Sequence, residues 1–126
     1  MATNYPVGDF LIRVKNAALA DKHELEAPLT KGVKAVAEAL KRAGFVEEVK
    51  STKGVITATI AFRRKKPIML GIKLVSRPGL RIYMDVDDIE KKRGPSLYIV
   101  STPKGVLISK EVIAKRASGE VLAEVW

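Results

Sequence analysis

The period of the hydrophobic pattern changes at Gly44, and this change constrains the fold more than any other feature of the chain. Before Gly44, apolar residues recur at helical spacing, which predicts amphipathic helices over residues 5–20 and 31–43. Asn4 is the expected N-cap of the first helix, and Thr30 can cap the second. Gly44 can end the second helix in a left-handed conformation. The first third of the chain is therefore predicted to be helical.

After Gly44, apolar and polar residues alternate, which is typical of strands. Strands are predicted over 45–50 and 55–62, joined by a turn, and a short strand fits the 21–29 connection. The basic run Arg63–Pro67 breaks the pattern and is the predicted lobe boundary. Further strands are predicted at 68–75, 80–84, 97–101, 106–108 and 120–126, with one helical turn within 85–95 and a short helix capped by Ser109 and reaching Ala117.

The predicted fold class is therefore α+β with two lobes. Residues 1–66 would form an N-terminal α/β lobe, in which two helices pack on a small sheet. Residues 67–126 would form a C-terminal, mostly β lobe with a short helix, and this is the lobe expected to bind a partner.

Charge gives the first indication of function. The chain has 23 Lys and Arg against 14 Asp and Glu, a net charge of +9. Such an excess attracts polyanions, because neutralised phosphates release their counterions. Nucleic acid is the leading partner, an anionic membrane surface is the lesser one, and a basic protein with neither partner stays open. No secretory signal is expected at the N-terminus, and no apolar run approaches the roughly 20 residues that span a bilayer.

The segment Ser101–Gly105 matches a type I turn, with a hydroxyl residue, Pro103 and a glycine in the preferred positions. Taken alone, it is best read as a hairpin turn. The functional alternative is that Ser101, Thr102, Lys104 and exposed N–H groups converge at one tip, where they could bind phosphate, ribose and base edges.

Two further segments could add to such a tip. Gly119, between Ser118 and Glu120, would allow close backbone approach, and Glu120 could accept hydrogen bonds from base amino groups or orient a lysine. Arg81 and Tyr83 fall on one face of a predicted strand, where they could pair with phosphate and stack on a base. The structural alternatives are a turn with a solvated carboxylate and a sheet face with a half-buried Tyr83.

Enzymatic readings find little support. His23 is the only histidine and has no nucleophile in view, and the acidic cluster 85–90 lacks the pattern of a calcium loop. The chain has no cysteine, which excludes disulfides and thiolate metal sites. No enzyme activity, metal, cofactor or small-molecule substrate is predicted, although catalysis by carboxylates alone stays an alternative. The basic runs 63–66 and 91–93 are read as solvated loops that attract phosphate without specificity.

Several motifs, in order and at the right separations, resemble the bacterial form of the universal small-subunit ribosomal protein family numbered eight. The resemblance covers nearly the whole chain. It is strongest in Val75–Tyr83, in the Ser-Thr-x-Lys-Gly loop at 101–105, and in Gly119–Leu122 with the terminal Val125–Trp126. The opening helix, through Pro6, Asp9, Leu11, Arg13, Asn16 and Ala17, and the second helix, through Leu40, Lys41, Gly44 and Phe45, also match.

The resemblance implies a cytoplasmic ribosomal protein that binds the central domain of small-subunit ribosomal RNA beside neighbouring ribosomal proteins. Bacterial members can also repress their own operon messenger, so a translational repressor is the alternative function. The residues that the family motifs mark for RNA binding are Ser101, Thr102, Lys104, Gly105, Gly119 and Glu120, with backbone contacts carried to Arg13, Asn16 and Lys31. Together with Ser118, Arg81 and Tyr83 they form the predicted site.

This chain departs from the family pattern at several positions. Pro103 stands where the family usually has a serine, so one hydroxyl is missing from the loop. Ser118 replaces the first of two glycines before the glutamate, 94–96 reads Gly-Pro-Ser, and Ile113 replaces an arginine. RNA binding by this loop is therefore expected to depend on Ser101, Thr102, Lys104 and backbone groups.

Overall fold

The first helix begins at a proline. The computed structural model describes residues 5–92 and 94–126, so the predicted cap Asn4 and the basic residue Arg93 lie outside the described residues. Helix α1 spans Pro6–Leu19, and its N-cap is Tyr5, whose side chain makes no capping hydrogen bond. Proline suits the first turn because its missing N–H has no partner there anyway. The predicted helix over 5–20 is confirmed.

The second helix has the predicted bounds and caps. Helix α2 spans Lys31–Ala43. The Thr30 Oγ1 accepts a hydrogen bond from the Val33 N–H at 3.1 Å. Gly44 ends the helix with φ of 89°, in the left-handed region that glycine adopts without strain.

A three-stranded antiparallel sheet completes the first half of the chain. Its strands are β1 (Glu24–Pro28), β2 (Val46–Thr52) and β3 (Val55–Ile60), with β3 in the centre. Alternate residues of β3 are buried, as the sequence predicted. A two-stranded hairpin follows, made of β4 (Phe62–Arg63) and β5 (Lys66–Pro67). The division into lobes at residue 66 stays a prediction.

The second sheet holds the remaining strands: β6 (Ile72–Leu74), β7 (Tyr83–Met84), β8 (Leu97–Thr102), β9 (Gly105–Ile108) and β10 (Gly119–Val125). Their order is β6-β10-β8-β9, all antiparallel, and β7 also pairs with β10. The predicted strand over 68–75 is shorter than expected. The N–H groups of Leu70 and Gly71 both donate to the Trp126 carbonyl, and the Ile68 N–H donates to Ala61, so these groups are engaged outside a strand ladder.

Two short helices pack on this sheet, α3 (Val86–Glu90) and α4 (Ser109–Lys115). The prediction that Ser109 caps α4 is wrong: Ser109 is the first helical residue, and Ile108 is the cap. The Ser109 Oγ instead accepts from the Tyr98 N–H at 2.7 Å. The Ile108 N–H is bound by the Glu111 carboxylate at 3.0 Å, so that glutamate stabilises the helix start.

The second sheet separates two apolar clusters. Ile99 packs into the larger cluster with α1 and α2, whereas Val100 packs with α3 and α4 on the opposite face. The β10–β8 register shifts between Val121 and Ala123. This bulge lets the adjacent Leu122 and Ala123 both join the larger cluster. That cluster contains residues from both halves of the chain, so the helices fix the position of the second sheet.

Candidate nucleic-acid interface

Gly119 lies against the backbone of β8. A Cβ atom built on Gly119 would be 2.0 Å from the Ser101 carbonyl oxygen and 3.1 Å from the Thr102 Cα. No side chain fits in that space unless one of the two strands moves. The sequence predicted a close backbone approach at this glycine, and the structure confirms it. The contact holds the 119–120 turn beside the 101–105 hairpin.

The hairpin that joins β8 to β9 has a two-residue loop, Pro103-Lys104, with Thr102 paired to Gly105. Neither loop residue has a positive φ, which excludes types II, I′ and II′ and agrees with the predicted type I turn. Gly105, the first residue of β9, has a φ of 112°, a backbone conformation that glycine adopts without strain.

Two of the predicted binding groups in this hairpin already have intramolecular partners. The Thr102 Oγ1 donates to the Gly105 carbonyl at 2.8 Å and accepts from the Lys104 N–H at 3.1 Å. The Lys104 Nζ donates to the Lys115 carbonyl, near the end of α4, at 2.9 Å. A hydroxyl oxygen keeps one further acceptor position and an ammonium keeps two further donors. Both groups therefore stabilise the turn and retain capacity for a ligand.

The expectation that two hydroxyls converge at one tip is wrong. Ser101 and Thr102 are consecutive residues of β8, and consecutive side chains of a strand leave opposite faces of the sheet. Val100 packs with α3 and α4, so Thr102 projects to that side and Ser101 to the other. The hairpin presents one hydroxyl on each face.

The segment before β7 is built around a buried serine. The Ser76 Oγ accepts from the Ile82 N–H at 2.9 Å and donates to the Ile82 carbonyl at 3.2 Å. Between them, the Leu80 N–H donates to the Arg77 carbonyl at 2.8 Å, and Gly79 has φ of 85°. A proline followed by a left-handed glycine makes this a type II turn. The predicted strand over 80–84 is reduced to Tyr83–Met84 because Ser76 binds the Ile82 N–H.

Arg81 and Glu120 form an ion pair beside the 119–120 turn. The Arg81 Nη1 lies 3.1 Å from the Glu120 Oε2, and the hydrogen bond and charge of Glu120 raise the pKa of Arg81. The guanidinium carbon also lies 5.9 Å from the centre of the Tyr5 ring, at the limit for a cation–π contact. The structure pairs this glutamate with an arginine and not with the lysine that the sequence suggested; its hydrogen bonding to bases stays a prediction.

Tyr5 is a residue that the sequence interpretation missed. Its ring packs on Gly8, where a Cβ atom would lie 2.4 Å from the ring, and its hydroxyl is buried without a hydrogen-bond partner among the described residues. Burial raises the pKa of Tyr5, the Glu120 carboxylate raises it further, and Arg81 partly offsets both. No local sequence signal connects residue 5 with residues 81 and 120.

Three side chains form a row across three neighbouring strands. Glu120 on β10 is paired in register with Ser101 on β8 and with Tyr83 on β7. Directly paired residues project from the same face, with strands about 4.8 Å apart. Tyr83 is 68% exposed, which excludes the half-buried alternative. The row therefore combines a hydroxyl, a carboxylate held by Arg81, and an aromatic ring open to solvent.

The other predicted site residues lie around this row or on the first half of the chain. Ser118 is exposed and, with Tyr83, lines a shallow depression beside the row. Arg13 and Asn16 lie about one turn apart on α1 and line a groove against β1, where the Arg13 Nη1 donates to the Glu26 carbonyl at 3.1 Å. Lys31 is exposed at the start of α2 and does not line that groove.

A bidentate ion pair connects the two halves of the chain and was not predicted. Arg42 of α2 donates to the Glu111 carboxylate through Nε at 2.9 Å and Nη2 at 3.2 Å, and Nη2 also reaches the Val106 carbonyl at 2.8 Å. Burial would raise the pKa of Glu111, but the hydrogen bonds from Arg42 and the Ile108 N–H, with the charges of Arg42 and Lys115, lower it overall. This pair fixes α2 against the hairpin that carries Lys104.

The acidic cluster at 85–90 has a structural explanation. The Asp85 carboxylate accepts from the Asp88 N–H at 2.8 Å and the Asp88 carboxylate accepts from the Asp85 N–H at 3.2 Å, which is a capping box at the start of α3.

His23, the only histidine of the chain, stacks on Phe62 with ring centres 4.2 Å apart. Across residues 5–92 and 94–126, no group of three His, Asp or Glu side chains is placed to hold a metal. Within the same ranges, no helix has the length and apolarity to cross a membrane.

Comparisons with known proteins agree with the features described above. A model of the family described as Ribosomal protein S8 matches residues 5–126. Small ribosomal subunit protein uS8 of Roseiflexus castenholzii is 39% identical to this chain, and the alignment covers all of both. The protein of that name in Chloroflexus aurantiacus is 40% identical over all of both chains, and that of Nitratidesulfovibrio vulgaris is 35% identical over 96% of this chain and 97% of its own. The chain belongs to the ribosomal protein S8 family, which confirms the resemblance found in its sequence.

Proposed function

We propose that this protein is a constituent of the small ribosomal subunit and binds the central domain of small-subunit ribosomal RNA. Family membership supports the ribosomal role, and the names of the relatives are those of ribosomal proteins rather than enzymes. The proposed setting is the ribosome in the cytoplasm, next to other small-subunit proteins. The net charge of +9 favours association with a polyanion.

The observation that carries the RNA proposal is the row Ser101–Glu120–Tyr83, held together by the contact between Gly119 and β8. An exposed aromatic ring can stack on an unpaired base, which is worth about 1–3 kcal/mol per base. A serine hydroxyl can donate to and accept from ribose or base edges. The ion pair with Arg81 fixes the Glu120 carboxylate, so its remaining acceptor sites keep one orientation.

The first test is a binding titration of full-length protein with a transcript of the central domain. Ser101→Ala and Tyr83→Ala should each weaken binding by about 1–3 kcal/mol if the groups are buried against RNA. Ser101→Ala tests RNA binding more directly than Thr102→Ala, because Thr102→Ala also removes the hydrogen bonds that stabilise the turn. Both variants should melt at the wild-type temperature, so that lost binding is not lost folding.

Lys104 supplies a second test with a matched control. Lys104→Gln should lower the slope of log affinity against log salt by about 0.7–0.9, which is the effect of one phosphate contact. Lys110→Gln removes the same charge from an exposed position on α4 and should leave the slope nearly unchanged. Wild-type affinity in both Ser101→Ala and Tyr83→Ala would refute the row as the RNA interface, and a wild-type salt slope in Lys104→Gln would refute a phosphate contact at the hairpin tip.

The same titration separates the ribosomal role from the repressor alternative. A ribosomal constituent prefers the ribosomal transcript and sediments stoichiometrically with small subunits. A dedicated repressor would bind its own operon messenger more tightly and would sediment apart from ribosomes. We assign the first role because the relatives are named as subunit proteins.

A further inference from the structure

The β4–β5 hairpin carries four consecutive cations at its tip. Arg63, Arg64, Lys65 and Lys66 are all exposed. Within residues 5–92 and 94–126, none of these four side chains forms an ion pair or a side-chain hydrogen bond. Four adjacent like charges repel one another, and no ion pair among the described residues offsets that repulsion at the tip.

The backbone of this tip is unusual. Arg63 pairs with Lys66, and the two residues between them, Arg64 and Lys65, have φ of 54° and 68°. Two successive left-handed residues define a type I′ turn, which strongly prefers Asn-Gly. Glycine has no Cβ and asparagine tolerates the left-handed region, whereas longer side chains such as arginine and lysine are strained there. Observed strain of this kind supports a hypothesis of function.

The β2–β3 hairpin provides an internal comparison. Its loop, Lys53-Gly54, has φ of 46° and 80°, so it is built the same way but has glycine at the second position. In the β4–β5 hairpin that second position is Lys65. The chain therefore keeps a cation where the turn geometry favours glycine, and folding alone does not account for it.

The hairpin lies far from the row of Ser101, Glu120 and Tyr83. Its base is tied by the hydrogen bond from the Ile68 N–H to the Ala61 carbonyl, and Leu70 binds the Trp126 carbonyl just beyond the end of β10. Gly119 begins that strand, and seven strand residues extend over about 20 Å. The nucleotides bound at the row therefore cannot themselves contact the hairpin, which would contact other nucleotides about 20 Å away.

We infer that Arg63–Lys66 is a second RNA contact, which binds phosphates other than those beside the row of Ser101, Glu120 and Tyr83. The inference rests on the proposed RNA-binding function and deepens it. The four residues of the tip include no carboxylate or aromatic group, and the Phe62 ring at the base of the hairpin is stacked on His23, so we expect the contact to add affinity and position but no sequence preference. An RNA backbone suits the site better than an acidic protein, because phosphates recur at a spacing that several adjacent cations can neutralise together.

The test is a double variant, Arg64→Asn with Lys65→Gly, in the full-length protein. It supplies the residues that a type I′ turn prefers and removes two charges, so the melting temperature should stay the same or rise. The salt slope of binding to the central-domain transcript should fall by up to about 1.8, at about 0.9 per phosphate in a duplex. The affinity of the double variant should be on the order of 10-fold below that of the wild type near ~0.15 M salt, and the affinities of the two proteins should converge towards ~1 M salt.

Single variants provide the matched control. Lys65→Gly and Lys53→Asn each remove one charge from a type I′ turn, and only the first should change the slope. Equal losses from both would mean general attraction by net charge and would overturn the inference. A double variant that binds RNA normally but is lost from assembled subunits would also overturn it, in favour of a protein contact.

The failure of this inference is distinguishable from failure of the proposed function. A wild-type protein that binds no RNA would overturn both. A wild-type protein that binds, together with a double variant of unchanged slope, would overturn only the hairpin contact.

Discussion

The substitution Gly119→Ala tests whether the two parts of the candidate interface are held together by a steric requirement. An added Cβ would lie 2.0 Å from the Ser101 carbonyl oxygen and 2.8 Å from its carbonyl carbon, where ordinary contacts begin beyond 3.4 Å. The obstructing atoms are backbone and cannot rotate away. One strand must move by more than an ångström, which would disturb the pairing of Ser101 with Glu120.

The direction of the stability change distinguishes a steric clash at Gly119 from the ordinary consequence of replacing a glycine by alanine. Gly119 does not have a positive φ. Without the clash, alanine would therefore stabilise the fold by about 0.4–1 kcal/mol, because it restricts the unfolded chain. Overpacking costs about 1–3 kcal/mol, and we expect a net loss near the upper end of that range, about 3 kcal/mol, since backbone must shift.

The assay is urea denaturation, in which the midpoint should fall while the slope m stays constant. Gly71→Ala is a matched control: its Cβ would lie 2.6 Å from the Trp126 ring, a half-exposed terminal side chain that can move, so its loss should be smaller. Ser118→Ala, at an exposed neighbour, should stay within about 0.5 kcal/mol of wild type. A Gly119→Ala protein as stable as wild type, or more stable, would refute the reasoning.

Three further predictions concern residues outside the row. Arg42→Met should lower the free energy of unfolding by about 1 kcal/mol, because it removes a partly exposed bidentate pair, and a double-mutant cycle with Glu111→Gln should show coupling between the two sites. The folded pKa of Glu111 lies below its ordinary value of 4.5, so its contribution to the free energy of unfolding is present above that pH and is lost as the pH falls through the folded pKa. Glu111→Gln should therefore flatten the acid limb of a stability–pH curve. An unchanged acid limb would contradict this prediction. Tyr5→Phe should raise stability by up to about 1 kcal/mol in the same denaturation assay, because the Tyr5 hydroxyl is buried with no partner among residues 5–92 and 94–126. A clear loss of stability would mean that the hydroxyl is hydrogen-bonded.

Structural features that depend on residues close together in the sequence were predictable from the sequence. Helix α2 has the predicted bounds because Thr30, the 3.6-residue period and Gly44 all agree. The close approach at Gly119 was predictable in kind, since a glycine before a strand allows it. The turn at Arg77–Leu80 follows from Pro-Gly chemistry alone.

Features set by distant contacts were not predictable. Ser109 looked like a helix cap, but the Tyr98 N–H competes for its hydroxyl across the sheet. The opposite facing of Ser101 and Thr102 depends on β8 extending one residue further into the hairpin than the pattern indicated. The Arg81–Glu120 pair joins residues 39 positions apart, and only the pairing of β7 with β10 brings them together.

The most direct test of the central claim is site-specific photo-crosslinking from Tyr83, which is exposed in the middle of the proposed interface. A photoreactive aromatic residue at this position, in the full-length protein, should crosslink to the central domain of small-subunit ribosomal RNA and sediment with small subunits. The same probe at the exposed Lys110 of α4 is the control and should give little RNA product. Crosslinks from Tyr83 to a messenger alone, or crosslinks to ribosomal RNA from Lys110 but not from Tyr83, would contradict the account.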